Sequence, residues 1–214
     1  MPGQLRRNRD GFLRAIDNAE DFLNRSRTAR HSTANRIAYT TMQLEWVAEH
    51  TLLKMTVACE LFLEKSMGAY VIGERAPSGF RAARIRRLNV PLPEAVRIFR
   101  GDRDFVGWIS PGLVIQRAEA WLRNGEPFSS ALAPMSLLLG YVRLMRNSIV
   151  HESESANELF LNRTLALYGP LPGFVTPGRQ LCQPCPAGLP GLIGPDLISA
   201  IIATYRALAA SVVP

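Results

Sequence analysis

Residues 131 to 151 read ALAPMSLLLGYVRLMRNSIVH, and the reading of this stretch decides the fold. Met135, Leu138, Val142, Met145 and Ile149 recur at three- and four-residue steps. At about 100° per residue they fall within about 80° of one another, which is the apolar face of an amphipathic helix. Arg143, Asn147 and His151 fall toward the opposite side, and Arg146 borders the apolar stripe. The polar run ESES that follows predicts a break between His151 and Ser155, after which Leu159, Phe160, Leu165 and Leu167 resume a helical pattern.

Working outward, the same period appears on both sides. Phe12, Ile16, Ala19 and Leu23 give a first helix over residues 10 to 28. Residues 32 to 72 hold no proline or glycine before Gly68 and read as a long helix with at most one break. One face of it carries Ile37, Leu44, Thr51, Met55, Ala58, Phe62 and Ala69. Leu53, Val57, Glu60, Glu64, Met67 and Val71 form a second stripe, so this helix is expected to be covered on two sides. Residues 73 to 110 are basic and turn-rich, with a short helix opening at PLPEAVRIF, and another helix is expected over 113 to 123. In residues 169 to 195, 13 of 27 are proline or glycine, which predicts a long loop with no helix or central strand. Pro195 or Asp196 then starts a last helix with Leu197, Ile201, Tyr205 and Leu208 on its core face. The sum is an all-α fold of about six helices, read as a single domain over residues 1–214. At least four helices form a bundle, residues 1–31 are an N-terminal helical extension, and 169–195 is a Pro/Gly-rich loop.

The bulk composition narrows the classes. A 214-residue chain with 47% hydrophobic content can bury a substantial core. No uncharged apolar run reaches the roughly 18 to 20 residues of a membrane span. No membrane partner is therefore expected, and the start of the chain is charged and amphipathic where a signal peptide would be apolar. Three cysteines do not make a disulfide framework, which predicts a reducing, cytoplasmic setting. The net charge of +7 is almost entirely arginine, only Lys54 and Lys65 being lysines. Either a nucleic-acid partner or a compositional bias toward arginine accounts for it. The densest cationic stretch runs from Arg81 through Arg84, Arg86, Arg87, Arg97 and Arg100 to Arg103, and Arg81, Arg84, Arg86 and Arg87, with Arg143, are its candidate RNA contacts.

The chain owns three histidines, and one of them stands five positions after an arginine at a helix end. That spacing alone discriminates poorly, because RSRTARH, with Arg25 and His31, nearly repeats it. An asparagine directly after the arginine and an amphipathic helix behind it are more selective. Asn147 and His151 are one helical turn apart and face a common point. Arg146 and His151 diverge by about 140° on an unbroken helix, so they share a ligand if Arg146 reaches round or the helix ends before His151.

RNSIVH, at the end of a bundle helix and before a polar turn, resembles the arginine, polar residue, spacer, histidine signature of the HEPN superfamily. VACELFLEKSM, on the long earlier helix, is similar to the acidic and apolar helix of several HEPN groups, notably the RiboL-PSP-like group. The resemblance covers residues 35 to 72 and 131 to 213. It implies a HEPN-like helical bundle of four core helices, a homodimer, and metal-independent cleavage of RNA without a cofactor. In that chemistry the 2′-hydroxyl is the nucleophile, His151 is general acid or base, and Arg146 holds the phosphate. Asn147 and Glu60 would orient these groups. Motifs of two subunits would face one another across the dimer interface. The biological role implied is a toxin or antiphage defence effector, with an antitoxin or regulatory protein as a possible further partner.

The competing reading is a non-catalytic helical module that dimerises and binds RNA or a partner protein. A DNA-binding regulator would need a compact helix-turn-helix spacing, which the chain lacks. Cys182 and Cys185 form a CxxC in the Pro/Gly-rich loop. A closed zinc site needs four ligands, which these two could supply only as a pair shared between two chains. GxSxG, GxGxxG and GxxxxGK[ST] patterns are absent.

Overall fold

The structure is a computed structural model that describes residues 3–31, 39–100, 107–151, 153–170, 173, 175–189 and 191–214. Expectations for residues 32–38, including Ile37, and for 101–106, including Arg103 and Phe105, lie outside these. Among the described residues there is no β-strand, and one isolated antiparallel bridge joins Arg84 and Leu122. The helices are α1 (Gln4–His31), α2 (Thr41–Ile72), α3 (Leu92–Arg100), α4 (Pro111–Trp121), α5 (Phe128–Leu132), α6 (Ser136–His151), α7 (Glu154–Tyr168), α8 (Pro177–Leu181) and α9 (Leu197–Val212). Short 3-10 turns occupy Arg123–Gly125 and Ala133–Met135.

Local chemistry explains the helix ends. Thr40 and Gln43 form a reciprocal capping box, the Gln43 amide donating to Thr40 Oγ1 at 3.2 Å and the Thr40 amide to Gln43 Oε1 at 2.8 Å. α2 closes on Gly73 at φ 97°, where the Glu74 amide bonds back to Ala69 O and the Gly73 amide to Tyr70 O. Asp196 caps α9 through the Ser199 amide at 3.1 Å. α1 begins at Gln4, earlier than the periodicity from Phe12 predicts, because Leu5, one heptad before Phe12, is also fully buried. α6 begins at Ser136 rather than near Ala131, since Pro134 holds a 3-10 turn there.

The expectation of no helix between 169 and 195 is corrected by α8. Its proline stands at the first helical position, where a missing N–H costs nothing, and Thr176 Oγ1 caps the Arg179 amide at 3.1 Å. The second stripe of α2 is also only partly covered. Met67 and Val71 are buried, but Val57 is half exposed. Glu64 in that stripe is 3% exposed and accepts from Trp108 Nε1 at 3.1 Å. By length and composition the helical run Arg123–His151 is long and apolar enough to cross a membrane, which the count of uncharged runs missed. The run is not one α-helix, as Asn124 has φ 56° and two 3-10 turns interrupt it.

The chain divides into two compact units. The first comprises Met1–Arg14, Val57–Gly140 and Tyr205–Pro214. In its core Phe12 stacks on Phe62 at 4.7 Å, and Tyr70 meets Phe80 and Phe128 edge-on. The Tyr70 hydroxyl donates to Val212 O at 2.7 Å. Gly68 lets α3 approach α2, as a Cβ there would lie 2.9 Å from Leu92.

The second unit comprises Ala15–Thr56 and Tyr141–Thr204. Here Tyr141 stacks on Phe160, and its hydroxyl pairs with Thr164 Oγ1 at 2.8 Å. Gly178 donates its amide to Glu49 Oε1 at 2.8 Å, and a Cβ at that position would sit 2.7 Å from Glu45 O. Gly178→Ala is therefore expected to destabilise the protein by about 1–3 kcal/mol, because backbone must move to admit one methyl group. Chemical denaturation against the parent checks this.

Candidate functional site at the end of α6

The apolar face of α6 is buried as its periodicity predicts: Leu138, Val142 and Met145 are each 4% exposed or less, with Met135 and Ile149 half-buried at the two ends. That burial fixes the rotation of the helix and turns the polar residues outward. Arg143 and His151 are exposed, and Arg146 and Asn147 are half-buried. Arg146 Nη1 donates to Asn147 Oδ1 at 3.2 Å. The asparagine carbonyl is thus engaged by the arginine, and its NH₂ group is left as the donor end.

α6 stays helical through His151, and α7 starts after the Ser153 cap, whose Oγ accepts from the Ala156 amide at 3.3 Å. The break therefore falls after the histidine, not before it. On this continuous helix Arg146 and His151 keep the divergence of about 140° that the helical period dictates. Arg146 reaches toward Asn147, and His151 points to a different sector.

The turn is locked by a pair that the sequence did not single out. Ser148 is 5% exposed, and its hydroxyl donates to Asn157 Oδ1 on α7 at 2.5 Å. Neither residue stands out in a linear pattern, since a serine on an apolar border and an asparagine one turn into a helix are both common. Ser148→Ala would leave the Asn157 carbonyl without this donor and is expected to cost about 1–2 kcal/mol, read by thermal unfolding.

Glu60 lies half-buried on α2 in the first unit, whereas Arg143, Arg146, Asn147 and His151 belong to the second. The candidate arginines 81 to 87 also belong to the first unit and are not equivalent. Arg81, Arg86 and Arg87 are exposed, and Arg86 sits 5.6 Å over the Trp121 ring. Arg84 has a structural contact that the others lack. It is half-buried, its Nη1 donates to Val71 O at 3.2 Å in the last turn of α2, and its guanidinium covers Gly73. A cation at that position complements the negative end of the helix. Burial lowers the Arg84 pKa, and Arg81 and Arg87 nearby lower it further.

The three cysteines are unbridged: Cys59 is buried, Cys185 half-buried and Cys182 exposed. Among the described residues no group of three or more His, Cys, Asp or Glu is placed to hold a metal ion. Comparison of the chain with protein-family models, with curated proteins and with solved structures found no match.

Proposed function

We propose that the protein is a metal-independent endoribonuclease of HEPN type, acting as a cytoplasmic homodimer in a toxin or antiphage defence role. The observation that carries this reading is the outward cluster on the last two turns of α6. Arg143, Asn147 and His151 share its outward side, Arg146 borders them and bonds Asn147, and the turn is oriented by a buried opposite face and braced by the Ser148–Asn157 bond.

RNA brings its own nucleophile. The 2′-oxygen attacks the adjacent phosphorus and its proton passes to a base. The bond from phosphorus to the 5′-oxygen breaks, and that oxygen takes a proton from an acid. The products carry a 2′,3′-cyclic phosphate and a 5′-hydroxyl. Histidine suits either proton transfer near neutral pH. Arg146 matches the phosphate with a planar fork and steadies the charge that grows in the transition state. An arginine is needed there, because the C-terminal end of a helix by itself repels an anion.

The divergence of Arg146 and His151 on one helix is the reason for reading the motif as half of a site that a second subunit completes. Val150 on α6 and Leu159 and Leu165 on α7 are 47%, 58% and 49% exposed, apolar side chains that a second subunit would cover. The same exposure favours the second reading, a module that dimerises without catalysis.

Purified protein incubated with total RNA in excess chelator separates the two. The enzyme reading expects cleavage with cyclic-phosphate ends, and intact RNA leaves the module.

A further inference from the structure

A second site is built within the second unit, where α1, α2 and the segment from α8 to α9 converge. A cleft of about 650 Å³ opens there, within the size range of small-molecule sites. Arg27, Arg30 and Arg179 stand on its walls, with Glu45 and Asp196 among them and Leu23 and Leu44 at its buried floor.

The charges are organised. Arg27 Nη2 bonds Asp196 Oδ2 at 2.6 Å, and both side chains are largely withdrawn from solvent at 29% and 16% exposure. Asp196 is itself fixed as the cap of α9. Arg30 Nη2 donates to Thr41 Oγ1 at 3.2 Å, and Arg30 and Arg179 are exposed enough to swing onto a ligand. Cys182 lines the same cleft and feels these charges. Burial pushes its thiol up, Arg27 pulls it down, Asp196 and Glu45 push it up, and Arg30 pulls it down.

Three guanidiniums and two carboxylates in one cleft select a particular chemistry. Arginine forks match a phosphate bidentately. Carboxylates accept hydrogen bonds only, so Glu45 and Asp196 favour hydroxyl donors and repel a second anionic group. The leucine floor suits a carbon skeleton. A polyanion such as RNA would bring further phosphates against the two carboxylates.

We propose that this cleft binds a small hydroxylated phosphate ester, the chemistry of a sugar phosphate. The proposal does not rest on RNA cleavage at α6 and stands or falls separately from it.

Alkylation of Cys182, followed by mass spectrometry on the intact protein and its peptides, provides the test. Ribose 5-phosphate is expected to slow modification of Cys182, with an apparent affinity at least about tenfold above those of inorganic phosphate and ribose. The double variant R30A/R179A is expected to weaken that protection at least about tenfold. Cys59, fully buried, stays unmodified while the fold is intact and exposes any variant that has unfolded. If the double variant unfolds, the three probes on the parent protein still decide. No protection by ribose 5-phosphate at millimolar concentration would overturn the proposal. So would equal protection by inorganic phosphate, or stronger protection by an RNA oligonucleotide.

Discussion

His151→Ala is expected to lower RNA cleavage in excess chelator by about a hundred- to ten-thousand-fold, the usual contribution of a positioned general acid or base. His151 is exposed at the end of α6, and its removal touches no core contact. Stability should therefore change by no more than about 0.5 kcal/mol. That separation makes the result interpretable: activity falls while the melting curve stays in place. Arg146→Lys is the companion variant. It keeps the positive charge but loses the planar fork and its geometry toward Asn147, so it should also be strongly impaired. Undiminished cleavage by His151→Ala would remove the histidine from the site. Dimerisation and RNA binding that survive both variants, with no cleavage by the parent, would leave the module reading.

Tyr70→Ala is expected to cost about 3–5 kcal/mol, enough to unfold a marginally stable chain. Tyr70 is fully buried, meets Phe80 and Phe128 edge-on and donates its hydroxyl to Val212 O. The substitution opens a ring-sized cavity and orphans a carbonyl in the last turn of α9. Tyr70→Phe keeps the ring and loses only the bond, so about 1–2 kcal/mol is expected. Denaturant titrations of the two variants beside the parent separate packing from hydrogen bonding.

Burial also raises the phenol pKa of Tyr70 and of Tyr141, and that of Tyr168 is pushed up to about 12. A raised acid pKa in the folded state means that the unfolded chain loses its proton first. The stability these groups confer is therefore complete below the ordinary tyrosine value and is lost as pH rises above about 10. Unfolding titrations from pH 8 to about 12 should show this contribution flat up to about pH 10 and declining beyond it.

The helical class was legible in the chain because apolar period is a local property. Leu138, Val142 and Met145 on α6, and Leu197, Ile201, Tyr205 and Leu208 on α9, are buried as their spacing requires. The break before α7 was legible for the same reason, as Ser153 carries a cap in its own side chain. α8 was not, because a count of prolines ignores the one place in a helix where proline is welcome.

For the α6 motif, sequence alone determined which residues share a face, since helical geometry carries positions 143, 147 and 151 to the same side. It did not reveal that Ser148 ties that turn to Asn157, or that Arg146 is held by Asn147. Nor did it reveal that Arg84 ends α2 through a bond to Val71 while its neighbours Arg81 and Arg87 stay exposed. The cleft of Arg27, Arg30 and Arg179 lies furthest from any linear signal, its residues being brought together from α1 and α8. Periodicity depends on neighbours a turn apart and can be read along the chain. Which cation is structural depends on a carbonyl 13 residues away, and which are gathered around one cleft depends on segments more than a hundred residues apart, so only the tertiary structure makes the choice.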